Sequence, residues 1–126
     1  DRWNDRRRAI AATYRERLKD SGLKLPTERR GYRHVYHLYV IETPRRDEML
    51  EYLNAAGIDA KPHYPIAIHP LARYPWGRPA EVDVSLPLTE RSAASVISLP
   101  IFPELTQLEI DYVVDTVRAW VQRRGG

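Results

Sequence analysis

Prolines at positions 62, 65, 70, 75 and 79 fall within eighteen residues, and no other feature limits the fold of this chain so strongly. Proline fixes φ and has no backbone N–H, so neither a helix interior nor a central strand can run through that stretch. Residues 62–79 are therefore a shaped loop with at most short helical turns, with the regular elements before and after it.

Before the loop, residues 4–20 carry a helical pattern. Ile10, Tyr14 and Leu18 recur every four residues with Ala11 beside them, while Arg6, Arg7, Arg8, Arg15, Glu16, Arg17 and Lys19 face elsewhere. Gly22 is a natural stop. After a loop containing Pro26, residues 33–41 alternate as a strand. Val35, His37, Tyr39 and Ile41 fall on one side and His34, Tyr36, Leu38 and Val40 on the other. Both sides are largely apolar or aromatic, which predicts a central strand. Thr43 and Pro44 supply a cap and a first helical residue for a helix reaching about position 56, with Met49, Leu50 and Leu53 inward and Gly57 ending it. Residues 58–61 read as a short strand leading into the loop.

After the loop, residues 88–96 suit a short helix and residues 97–99 a short strand before Pro100. The final helix has the clearest signals. Thr106 and Glu109 form a capping box, and Ile110, Val113, Val114, Val117, Trp120 and Val121 make a buried stripe. Few, short strands among helices predict an α+β fold, a small and mainly antiparallel sheet covered by helices. The length of 126 residues fits a single core. The first helix is long and charged for so small a domain, which predicts that residues 1–21 join two domains while residues 32–126 form the sheet-and-helix core. With no initiator Met and no signal-peptide stretch, the chain reads as a segment entered partway through a longer protein.

Composition excludes several classes. A content of 43% hydrophobic and 29% charged residues is not that of a wholly disordered chain. No apolar run approaches the ~20 residues of a membrane helix. The net charge of +3 comes from basic residues interleaved with acids, a weak field for nucleic acid. The absence of Cys removes disulfides and thiolate metal sites, and the expected compartment is the cytoplasm.

Chemistry concentrates in Lys61-Pro62-His63-Tyr64-Pro65-x-x-x-His69-Pro70. A proline-stiffened loop holds its donors with little entropy left to lose, which suits a polar or phosphorylated ligand. The same residues could equally be a connection whose rings pack on the core. His34 and His37 lie on opposite faces of a strand, and no Cys, Asp or Glu pattern completes a zinc set around His63 and His69. No serine sits in a Gly-x-Ser-x-Gly elbow, and no glycine-rich phosphate loop is present. No catalytic, cofactor-binding or metal-binding residue is assigned on these grounds.

The order of motifs resembles the C-terminal part of the DegT/DnrJ/StrS-type sugar aminotransferases. The likeness rests on Asn4-x-x-Arg7-x-x-Ile10-Ala11-x-x-Tyr14-x-x-x-Leu18, Val35-Tyr36-His37-Leu38-Tyr39-Val40-Ile41, and Arg46-Asp47 with Leu53 and Gly57-Ile58. It continues through His63-Tyr64-Pro65-x-x-x-His69-Pro70-Leu71, Glu90 with its Ser-Ala-rich turn, Ser98-Leu99-Pro100-Ile101-Phe102-Pro103-x-Leu105-Thr106, and Glu109-Ile110-x-x-Val113. The resemblance implies the small domain of a fold-type I enzyme dependent on pyridoxal 5′-phosphate (PLP). A larger N-terminal domain would hold the cofactor and the Schiff-base lysine. It also implies a homodimer acting on a nucleotide-linked keto sugar with glutamate as amino donor, and gives His63, Tyr64 and His69 a substrate-binding role. None of Lys19, Lys24 and Lys61 lies in a plausible PLP site, so this chain alone is expected to bind no PLP. Rival expectations are a free-standing, non-catalytic domain that binds a sugar nucleotide or a protein, and a domain of a PLP-dependent sugar dehydratase. A detached small domain should self-associate through an uncovered apolar face, for which Trp3, Trp76 and Trp120 are the aromatics to examine.

Overall fold

The computed structural model describes residues 1–68 and 85–124. In chain order the elements are α1 (Arg2–Leu18), β1 (Tyr39–Glu42), α2 (Arg46–Ala55), α3 (Pro87–Ser95), β2 (Val96–Leu99) and α4 (Gln107–Arg124). The fold is α+β, built on an antiparallel β1–β2 pair. Backbone bridges extend the pair on both sides. Lys24 pairs with Glu42 of β1, and Lys61 pairs with Ser98 of β2. β1 and β2 are thus the middle of the ladder, in keeping with the central strand expected from its two apolar faces.

The register sorts side chains by face. Tyr39 lies opposite Leu99 and Ile41 opposite Ile97, and all four are buried. They join Ile10, Tyr14 and Leu18 of α1, Met49 and Leu53 of α2, and Ile110, Val114 and Val117 of α4 in one core. α4 packs against both α1 and α2. The Tyr14 ring meets the Tyr39 ring edge-on at 5.1 Å, and its hydroxyl donates to the Pro100 carbonyl at 2.8 Å. Trp120 belongs to this core, Trp3 is exposed, and Trp76 lies outside the described residues.

Arginines fasten α1 to the rest. Arg6 donates to the carbonyls of Pro103 and Leu105, and Arg17 pairs with Asp111 and Asp115 of α4. Arg8 pairs with Glu28. Surface pairs of this kind add little beside the ~1.5–3 kcal/mol of one buried Ile or Leu, so they orient α1 more than they stabilise it.

The strand expected over residues 33–41 forms only as β1, Tyr39–Glu42. Arg7 and Arg8 of α1 donate to the carbonyls of Val35 and His34, capturing acceptors a strand would have used. The Tyr36 N–H donates to its neighbour His34 Nδ1 at 2.9 Å, and Tyr36 adopts φ 49°. Local side-chain bonds here outcompete the ladder. Val35 is consequently exposed, while Tyr36 is buried against the Tyr39 ring at 6.1 Å. The expected Thr43 cap is also displaced. α2 starts at Arg46, and the Thr43 hydroxyl accepts the Arg45 N–H in the turn before it. Residues 58–61 contribute one bridge, at Lys61.

Both helix-end signals in the rest of the chain hold. Gly57, at φ +78°, closes α2 by donating to the Asn54 carbonyl while Ile58 donates to that of Leu53, the pattern of a Schellman end. At α4, the Thr106 N–H donates to the Glu109 carboxylate at 2.8 Å, and the Glu109 N–H donates to the Thr106 hydroxyl at 3.3 Å.

Two buried phenols give opposite expectations. Tyr14→Phe leaves the Pro100 carbonyl without its donor and should cost about 1–3 kcal/mol in urea unfolding. Tyr39 has no hydrogen-bond partner for its hydroxyl among the described residues, so Tyr39→Phe should be neutral or slightly stabilising. Burial pushes the Tyr14 phenol up, and pushes Tyr39 up to about 12. Folding thus favours the neutral phenols. That stability is complete below the ordinary phenol value near 10 and should drain away as pH rises towards the Tyr39 value, which alkaline unfolding curves would detect.

Candidate functional site

The second face of the β1–β2 pair carries Val40, Glu42, Val96 and Ser98. Ser98 is buried although it faces away from the helical core. The chain that covers it is the segment just after Lys61. The Lys61 and Ser98 backbones exchange hydrogen bonds at 3.2 and 2.7 Å, and two residues later the His63 ring returns to the same residue, with Nδ1 2.9 Å from the Ser98 hydroxyl. With Nδ1 turned to Ser98, ring geometry points the hydrogen-bonding direction of Nε2 widely away from that contact. Tyr64 follows, its ring edge-on to His63 at 5.9 Å and 77% exposed.

α3 supplies the opposing wall. Pro87 fits its first turn, where an N–H would go unused, and the Glu90 carboxylate accepts the Leu86 N–H at 2.9 Å. α3 runs directly into β2, so its side chains are fixed relative to Val96 and Ser98. Arg46 of α2, with its side chain only 11% exposed, donates to the Ala93 carbonyl at 3.0 Å and holds the end of α3. Between the two walls lies an open cavity of about 600 Å³. Its lining is mostly apolar, with Ile66, Ala67 and Ile68 on one side and Ala93 and Val96 on the other. His63, Tyr64, Thr89 and Ser92 add the polar groups. Apolar walls with a few placed polar groups suit an organic ligand fixed by two or three hydrogen bonds.

The structure therefore brings His63 and Tyr64 together at one cavity, whereas His69 lies outside the described residues. His34 and His37 are elsewhere. His34 serves the backbone turn at Tyr36, and among the described residues no group of three or more His, Asp or Glu side chains is placed to hold a metal ion. Sequence reasoning passed over Ser98, Ser92 and Thr89. The signal for Ser98 was present in the alternation of Ile97 and Leu99 around it, which puts its hydroxyl on the opposite face.

A PLP site requires a lysine amine held in a cavity and able to shed its proton. The three lysines do not fit. Lys19 pairs with Glu16, Lys24 with Glu42 and Lys61 with Asp59, all with side chains more than half exposed. The Glu16 carboxylate raises the Lys19 amine above its ordinary value. The residues of this chain therefore hold no covalent anchor for the cofactor.

A profile of the DegT/DnrJ/EryC1/StrS aminotransferase family matches residues 1–118. The chain is 41% identical over 124 residues to the dTDP-3-amino-3,4,6-trideoxy-alpha-D-glucose transaminase of Streptomyces venezuelae, covering 98% of this chain and 32% of that protein. Among solved structures, S. venezuelae DesV in complex with a ketimine intermediate superposes with a TM-score of 0.86 at 40% identity, over 96% of this chain and 32% of that one. NtdA from Bacillus subtilis with bound cofactor PMP superposes with a TM-score of 0.82 at 26% identity, over 95% and 28% of the two chains. The chain thus spans about a third of the length of the relatives it matches. No helix among the described residues is long and apolar enough to cross a membrane.

Incubating the chain with PLP, reducing with borohydride and mapping peptides by mass tests the lysine assignment. Low, unselective labelling of Lys19, Lys24 and Lys61 is expected. Stoichiometric labelling of a single lysine would contradict it.

Proposed function

We propose that this chain, which belongs to the DegT/DnrJ/EryC1/StrS aminotransferase family, is the substrate-side domain of a PLP-dependent enzyme that converts a nucleotide-linked keto sugar into an amino sugar. The observation that carries this reading is the cavity that places His63 and Tyr64 together on the outer face of the sheet. These are the residues to which the motif resemblance gives a substrate role. The resemblance of the whole chain to nucleotide-sugar transaminases supports the choice of ligand.

In this reading the chain binds and orients, and a separate, larger domain provides PLP and its lysine. PLP supplies the electron sink that lets an amino group pass from a donor, here glutamate, to the sugar carbonyl. His63 Nε2 and the Tyr64 hydroxyl hydrogen-bond the pyrophosphate or hexose, with His69 as a third contact. The apolar walls meet the less polar parts of the ligand and exclude water from around it. Positioning of this kind lowers a barrier without any covalent role, because orientation entropy is lost on binding rather than at the transition state. Residues 1–21 act as the joining helix, with the exposed Trp3 at the end nearest the larger domain. The working assembly is a cytoplasmic homodimer.

Tyr64→Phe in the polypeptide that unites this chain with its cofactor domain tests the assignment. Losing one ligand hydrogen bond should lower kcat/KM for the nucleotide sugar on the order of tenfold, with PLP content by absorbance unchanged. An unaltered specificity constant would remove Tyr64 from the site.

A further inference from the structure

The mechanism outlined for the cavity leaves unused the buried hydroxyl that touches His63, that of Ser98. Ser98 is 4% exposed and sits where two structural constraints meet. Its backbone N–H and C=O both pair with Lys61, and across the ladder it stands opposite Val40. The residue tied to it through the backbone also begins the segment whose ring returns to its side chain. Lys61 and His63 together make a short loop closed at both ends on Ser98.

A buried hydroxyl proton needs an acceptor. The nearby Ser95 finds one in its own helix, donating to the Arg91 carbonyl at 2.8 Å. Ser98 lies in a strand, where no carbonyl four residues back is within reach. Among the described residues, the partner found for its hydroxyl is His63 Nδ1 at 2.9 Å. In a neutral imidazole one nitrogen donates and the other accepts. If Nδ1 carried the ring proton, Ser98 would have to accept it and its own buried proton would lose its only described acceptor. The arrangement that satisfies both groups has Ser98 donating to an unprotonated Nδ1, which leaves the ring proton on Nε2.

We propose that Ser98 is a positioning residue for His63. It holds the ring as the Nε2–H tautomer and directs that N–H away from Ser98 as a hydrogen-bond donor to an acceptor oxygen of the ligand. The ligand class, a phosphate or carbonyl oxygen of a nucleotide sugar, rests on the function proposed above. The tautomer does not, since it follows from the Ser98–His63 contact and from the lack of another acceptor for the Ser98 proton among the described residues. A donor held in one tautomer favours an oxygen acceptor over a ligand that offers only N–H groups to this position. The site thereby selects for ligand chemistry as well as for shape.

Long-range ¹H–¹⁵N NMR of the His63 side chain, assigned with His63→Gln and recorded at about pH 8 where free imidazole is neutral, reads the tautomer directly. The wild-type chain is expected to show an unprotonated Nδ1 and a protonated Nε2. Ser98→Ala should move both nitrogens towards the averaged values of an exchanging ring, and Ser98→Thr, which keeps the hydroxyl, should restore the wild-type pattern. A protonated Nδ1 in the wild-type chain overturns the proposal without recourse to any variant, as does a Ser98→Ala spectrum identical to wild type. Titration with thymidine 5′-diphosphate separates the two layers of the inference. Shifts at Nε2, with binding weakened about three- to tenfold by Ser98→Ala, support both. An Nε2–H tautomer that does not respond to the nucleotide upholds the Ser98–His63 pairing and overturns its assigned ligand.

Discussion

Pairing of Tyr39 with Leu99 and of Ile41 with Ile97 divides the two central strands into a core face and an outer face, and both halves of the molecule depend on that division. A one-residue slip would send Ser98 and Val96 into the helical core and turn Ile97 and Leu99 outwards. Burial makes such a slip costly, because the four inner side chains are packed against three helices. The same register fixes Ser98 on the outer face, where Lys61 joins the ladder and His63 reaches back. The site is therefore a consequence of core packing. The hydrophobic residues choose the register, and the register places the polar ones.

Helices and their ends were legible in the sequence because their causes are local. Ile10, Tyr14 and Leu18 lie one above another on a single helix whatever surrounds it, and Thr106 and Glu109 satisfy each other within one turn. The boundary of β1 was not legible, because its cause is distant. Arg7 and Arg8, more than twenty-five residues earlier in the chain, take the carbonyls of Val35 and His34. Alternation in residues 33–41 contains no trace of that competition. It predicts that both faces of residues 33–41 are covered, whereas the left-handed turn at Tyr36 brings that ring into the core beside Tyr39 and leaves Val35 exposed.

The site was half legible for a similar reason. His63 and Tyr64 stand out in sequence because they sit on a proline-stiffened loop, a setting that suits ligand binding and core packing equally, and the motif resemblance adds the substrate role. Their partners do not stand out. Ser92 and Thr89, which line the cavity, and Ser98, which meets the His63 ring behind it, are ordinary residues that come to the site only through the fold. The three lysines were each placed outside a PLP site on sequence grounds, and in the structure each amine is paired with a carboxylate at the surface.

A crystal structure of the polypeptide that joins this chain to its cofactor domain, with the nucleotide sugar bound, tests the proposed division of labour most directly. The account predicts the ligand in the cavity between residues 63–68 and α3, with an oxygen about 2.7–3.2 Å from His63 Nε2 or the Tyr64 hydroxyl. A nucleotide sugar held wholly by the larger domain, with this cavity empty, would contradict it.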